Sequence, residues 1–211
     1  MATNGDVFPR LIHLDDALLV VNKPAGLLAV PGRGEDKQDC LSAHVQHEFP
    51  DALVVHRLDM ATSGLMVFAR GVEMQRRLSQ MFREREVEKR YVAMAAGKLD
   101  AAGEIALPIA ADWTNRPLRK IDHAFGKPSL TRYRLLAYNP ATDISRVELE
   151  PVTGRTHQLR VHLAAINHPI LGDALYGNAA NAPRLLLHAS SLNFVHPLSG
   201  ELLAAVCESP F

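Results

Sequence analysis

The chain has 211 residues, 23 Lys and Arg balanced by 23 Asp and Glu, and 47% hydrophobic residues. That suits a soluble globular protein of one domain, or at most two small ones, whose core needs no staples. No apolar run approaches the roughly 18–20 residues of a membrane span. The start, MATNGDVFPR, lacks the basic-then-apolar order of a secretion leader, and Cys40 and Cys207 form no CxxC pattern. The expectation is a reducing cytoplasm, with no disulfide scaffold, no cysteine-based zinc site and no membrane partner.

In chain order, residues 10–21 read as two short strands around the turn pair Asp15-Asp16. Asn22 to Gly26 and Pro31 to Gly34 are breakers. Asp39 is placed to cap a helix over residues 40–48. Residues 53–58 and 65–69 read as buried strands on either side of the polar turn Asp59 to Gly64. Val72, Leu78, Met81 and Phe82 recur at near-helical spacing, which predicts an amphipathic helix over 72–86. Strands are expected near 88–96, 103–107, 118–124, 129–138 and 144–151. A helix is expected over 156–166, and strands flank the turn Pro197 to Gly200 in the tail, residues 184–206. No repeat, low-complexity stretch or linker interrupts the chain, so a single domain over residues 1–211 is expected. The pattern is α+β with a mixed or antiparallel sheet.

Zero net charge hides an uneven distribution. Residues 1–70 sum to −3, residues 71–134 to +5 and residues 135–211 to −2. The basic middle has two dense stretches. One holds Arg76, Arg77, Arg83, Arg85, Lys89 and Arg90, interspersed with glutamates. The other holds Arg116, Arg119, Lys120, Lys127, Arg132 and Arg134, with little acid nearby. A solvated face explains either stretch. A phosphate track is the sharper reading, and the second stretch is the better candidate for it.

Two segments concentrate chemistry-bearing residues. In His56-Arg57-Leu58-Asp59-Met60-Ala61-Thr62-Ser63-Gly64, a strand end would put Arg57 and Asp59 on one side. The plain alternative is that Asp59 caps its own turn. In Pro151 to His162, Arg160 lies among Leu159, Val161 and Leu163. It is either partly buried, and then needs an acidic partner, or it snorkels to the surface. His157 and His162 are five apart and do not share a helical face as zinc ligands would. Met74, Met81 and Phe82 are most simply core residues. No GxSxG, GxxxxGK[ST] or GxGxxG occurs, so hydrolase, NTPase and dinucleotide-binding readings lose their usual support.

HRLDMATSG, with VNKPAGLLAVPG, KRYVA, PVTGRTHQLRVHLAAINHPILGDALYG and LLLHASSLNFVHPLSG in that order, resembles the motif set of the RluA-type pseudouridine synthases. Met60-Ala61 and Asp112 to Pro128 look most like the family's dual-specificity subgroup. The resemblance implies a bisected mixed, mostly antiparallel β-sheet with flanking helices. It implies no S4-like domain, since the chain starts almost at its first strand. The implied activity is isomerisation of uridine to pseudouridine within RNA, with no cofactor or metal. The implied partners are structured RNA, a 23S rRNA hairpin and a tRNA anticodon stem-loop, with no protein partner required.

Residue by residue, Asp59 matches the family's catalytic aspartate, and Arg160 the arginine that pairs with it. Tyr91 matches the tyrosine that stacks on the uracil and takes the C5 proton. Arg57 matches the residue that fills the gap left by the flipped uridine; a planar guanidinium stacks and donates at once. Leu187 and Ile170 are expected to line the uracil pocket. Lys89, Arg116, Arg119 and Lys120 are candidate phosphate contacts, the last three from charge alone. Rival readings are activity on only one of the two RNAs, a non-catalytic RNA-binding protein on this fold, and a small-molecule glycosidase. The glycosidase would need a second catalytic carboxylate that no motif supplies.

Overall fold

The computed structural model describes residues 9–211. Most of the amino-terminal stretch read above for a leader lies outside the described residues. The chain divides into two compact units, one running to Val87 and including Ser191–Glu208, the other Glu88–Ser190 with Ser209–Phe211.

The first unit is built on β1 (Leu11–Leu14), β2 (Leu18–Lys23), β3 (Ala52–Val54) and β4 (Ser63–Arg70). β2 pairs antiparallel with β1 and β4, and β3 pairs with β4. Both faces of β2 and β4 are covered, which explains their unbroken apolar runs. Leu18, Val20, Leu65 and Val67 face the helix α2 (Gly71–Glu84) through Leu78, Met74, Met81 and Phe82. Leu19, Val21, Met66 and Phe68 face α1 (Leu41–Glu48) through Leu41 and Val45. Each such fully buried side chain stabilises by about 1.5–3 kcal/mol.

The second unit carries β5 (Glu88–Ala96), β6 (Ala102–Ile105), β9 (Thr131–Asn139) and β10 (Ile144–Pro151), antiparallel in the order β5-β10-β9-β6. A small separate hairpin pairs β7 (Ile109–Ala111) with β8 (Arg119–Ile121). The helix α3 (Gln158–Ala165) packs on β8, β9 and β10. β11 (Leu187–Val195) starts in this unit and ends in the first, where it pairs with β12 (Leu202–Val206). The class is a mixed, mostly antiparallel sheet with helices, and an isolated parallel bridge outside the strands joins Leu28 to Cys40.

Three local expectations change. The helix from Leu41 is capped at Cys40 without a side-chain bond; Asp39 Oδ1 instead meets His44 Nε2 at 2.6 Å. The strand expected over 53–58 ends at Val54, opposite Phe68. The next ladder position is filled by a side chain, since Val67 N–H donates to His56 Nε2 at 2.9 Å. Residues 55–59 therefore leave the sheet, and Arg57 and Asp59 do not sit on a strand end. The strand expected over 118–124 is only Arg119–Ile121, because Asp122 closes a turn by accepting from the N–H groups of Ala124 and Phe125.

Candidate active site

In the first unit, Asp59 lies half-buried on the loop between β3 and β4, and Arg57 is exposed beside it. His56 fixes the entry to this loop. Its ring stacks on Phe82 of α2 at 4.3 Å while Nε2 accepts from Val67. Thr62 N–H closes the exit by donating to Asp59 O at 3.1 Å.

Beneath the loop lies Lys23, fully buried at the end of β2. Its Nζ donates to Pro24 O at 2.8 Å, Leu27 O at 2.7 Å and Met60 O at 3.0 Å. Met60 O also accepts from Gly26 N–H at 2.8 Å, so the two loops are tied through one carbonyl. Three acceptors satisfy the three donors of an ammonium. Burial pushes the Lys23 amine down to about 8, and the Asp59 charge opposes that shift. Sequence reasoning treated Asn22 to Gly26 as a breaker and as part of a family motif, and gave Lys23 no role. The available signal was a Lys ending an all-apolar strand, a place where lysine is seldom found unless partnered.

In the second unit, Lys89 and Tyr91 share one face of β5, both half-buried. Tyr91 stands opposite Leu149 of β10. The segment Ile170-Leu171 is stitched to the same strand. Leu171 N–H donates to Met94 O, Met94 N–H to Leu186 O, and Leu186 N–H to Leu171 O. Ile170 and Leu187 are thus brought alongside β5, both buried.

Arg160 projects from α3 and is 4% exposed, so the buried alternative holds. Its Nε donates to Asp173 Oδ2 at 2.8 Å and its Nη2 to Asp173 Oδ1 at 2.7 Å. The sequence reading gave the carboxylate role to Asp59 alone and missed Asp173. Burial pushes the Asp173 carboxyl up, but Arg160 and the N–H groups of Leu175 and Tyr176 outweigh it and hold it low. Gly172 makes this turn possible. It sits at φ 72°, and a Cβ there would lie 1.9 Å from Arg184 O.

His162 is buried between Thr131 Oγ1 and Leu107 O, each at 2.9 Å, and burial pushes its imidazole down. His157 Nδ1 meets Tyr176 Oη at 2.7 Å, and Tyr176 Oη accepts from Arg119 N–H at 2.8 Å. Among the described residues no group of three or more His, Cys, Asp or Glu side chains converges as metal ligands do.

The second basic stretch splits. Arg132 and Arg134 lie on β9 opposite Glu150 and Glu148 of β10. Arg132 pairs with Glu104 at 2.8 Å and Arg134 with Glu148 at 3.0 Å. The expectation that this stretch meets little acid fails for these two, because cross-strand register supplies carboxylates distant in sequence. Arg116, Arg119 and Lys120 are different. They belong to the β7–β8 hairpin, and the last two line an open cavity of about 700 Å³.

The profile of the family described as RNA pseudouridylate synthase matches residues 17–165. The chain belongs to that family. The dual-specificity RNA pseudouridine synthase RluA of Escherichia coli K12 is 46% identical over 205 residues, covering 95% of this chain and 93% of the relative. The protein of the same name from Pasteurella multocida is 45% identical over 203 residues, covering 94% and 92%. Among solved structures, human RNA pseudouridylate synthase domain containing 1 aligns with a TM-score of 0.82 at 30% identity, over 100% of this chain and 87% of that one. The fold is thus the pseudouridine synthase fold, and among the described residues no S4-like domain is present. The matched stretch contains Asp59, Tyr91 and Arg160 of this family member. No helix among the described residues is long and apolar enough to cross a membrane.

Proposed function

We propose that this chain converts a loop uridine to pseudouridine in two structured RNAs, a 23S rRNA hairpin and a tRNA anticodon stem-loop, in the cytoplasm. The observation that carries the reading is the setting of Asp59. It is a half-buried carboxylate on a loop whose backbone is held from below by a buried ammonium.

The reaction breaks the N1–C1′ bond, joins C5 to C1′, takes the proton from C5 and returns one to N1. Atoms and electrons balance without a co-reactant. Asp59 supplies the carboxylate that the departing glycosidic bond requires. Arg160 supplies the counter-charge for that carboxylate. Tyr91 stacks on the uracil and receives the C5 proton, and Ile170 and Leu187 line the base pocket. A base inside a helix is out of reach and must be flipped; Arg57, exposed on its loop, fills the gap. Lys89, Arg116, Arg119 and Lys120 contact phosphates.

The test is to map pseudouridine by reverse-transcription stops in total RNA from a strain lacking this protein. Stops should vanish at one rRNA loop and at tRNA anticodon loops, return with the wild-type chain and stay absent with Asp59→Ala. Loss at only one class of RNA would remove the dual specificity. Loss at none would overturn the reading.

A further inference from the structure

The cavity beside the β7–β8 hairpin carries exposed aromatic rings that the phosphate contacts proposed above leave unused. Its walls include Trp113, Phe125, Arg119, Lys120, Lys127 and Arg155. Trp113 is 72% exposed and Phe125 86% exposed. A single exposed aromatic is ordinary; two on the wall of one basic cavity are not.

Both rings are held out by rigid turns. Trp113 sits in the loop from Asp112 to Leu118. Asp112 N–H donates to Leu118 O there, and Asn115 donates to both oxygens of Asp112. Phe125 sits in the turn closed by Asp122, and the following Gly126 packs against Pro108 so tightly that a Cβ would lie 2.7 Å from its carbonyl carbon. The opposite wall, Gly154 to Thr156, is fixed because Gln158 Oε1 accepts from Arg155 N–H while its Nε2 donates to Leu130 O. Little ordering entropy remains to be lost on binding.

The cations are largely uncommitted. Arg119 forms no ion pair among the described residues, and its Nε is enclosed without a hydrogen-bond partner. Among the described residues the Arg155 guanidinium reaches only Pro128 O, at 3.4 Å. Lys120 is the exception, pairing at 3.5 Å with Asp122 Oδ2, the oxygen that the turn at Oδ1 leaves open. Arg116 lies 3.9 Å over the Trp113 ring, so a cation covers one face of the indole. Flat aromatic faces among uncommitted cations match unpaired nucleotides, whose bases stack and whose phosphates are anionic.

We propose that this cavity takes up an unpaired nucleotide of the substrate RNA, separate from the isomerised uridine. Its base stacks on Trp113 and Phe125, and its phosphate meets Arg119, Lys127 and Arg155. The subsite selects for loops over continuous duplex. It rests on the reading that the chain acts on RNA.

Trp113 is the only tryptophan in the chain, so its emission reports on stacking directly. The full chain is titrated with a stem-loop RNA and with a blunt RNA duplex of equal phosphate count. The stem-loop should quench the emission, and the duplex should not. Trp113→Ala and Phe125→Ala, followed by anisotropy of labelled RNA, should each weaken stem-loop binding about fivefold or more and leave duplex binding unchanged. Trp113→Phe should recover most of the loss. The circular dichroism and melting temperature of these variants should match wild type, since both rings are exposed. If the wild type binds and converts the stem-loop with unaltered emission, or both alanine variants bind it as tightly as wild type, the subsite is overturned while the RNA activity stands. If the wild type binds neither RNA, the RNA reading falls and the subsite with it.

Discussion

Arg160 and Asp173 form a two-point, side-on ion pair, with bonds of 2.8 and 2.7 Å, and neither side chain is open to water. Removing one partner strands the other charge in the interior. Arg160→Met and Asp173→Asn should each destabilise the chain at pH 7 by about 3–5 kcal/mol. Asp173 is held below its ordinary value, so its contribution is present above the unfolded value, near 3.8, and is lost as pH falls through the lower folded value. Denaturant melts at pH 7 and in strong acid check this. The gap between wild type and Asp173→Asn should close only in strong acid. A gap that persists there would show that the carboxylate charge is not what matters.

Lys23 makes the opposite kind of contribution. Its amine titrates near 8 in the fold against an ordinary 10.5. Between those values the unfolded chain holds a proton that the folded chain has released. Stability therefore rises with pH across that window, by about 3 kcal/mol. Below pH 8 the fold bears the full cost of a buried ammonium. Lys23→Met should abolish the rise, as melts between pH 7 and 11 would show. The same titration removes the positive charge facing Asp59. Turnover by the wild type should fall through pH 8, and Lys23→Met should be slower with that limb absent.

Salt dependence separates the two halves of the basic stretch. Arg132 and Arg134 are committed to Glu104 and Glu148, whereas Arg119 has no ion pair among the described residues and Arg116 rests on Trp113. Each phosphate contact adds about 0.7–0.9 to the slope of log K against log salt. Replacing Arg116, Arg119 and Lys120 with Gln should reduce that slope by about 2 and weaken RNA binding. Arg132→Gln with Arg134→Gln should leave the slope unchanged. Filter binding across a salt series reads both. A slope lowered by the second pair instead would move the phosphate contacts to β9.

The long apolar runs around Leu18–Val21 and Leu65–Ala69 were legible because both faces of those strands are covered. The helix over 71–84 was legible from its periodicity. The candidate site was reached through resemblance, because Asp59, Tyr91 and Arg160 stand in segments whose residue order is distinctive. What escaped has a common cause. The His56 ring that ends β3, the carboxylate of Asp173 and the glutamates facing Arg132 and Arg134 are side-chain partners chosen by three-dimensional register. Local pattern carries no information about them. Asp39 had the right residue type for a helix cap, but His44 one turn away captured its carboxylate. Lys23 was hidden because a lysine next to Pro24 reads as a turn, while the fold buries it.

Asp59 is the centre of the account, and release of the C5 hydrogen tests it most directly. RNA stem-loops carrying tritium at uridine C5 lose it to water only when C5 is joined to the sugar. The wild-type chain should release tritium equivalent to one uridine per stem-loop. Asp59→Ala should release none while binding the same RNA with unchanged affinity. Release by Asp59→Ala at a rate near wild type would contradict the assignment.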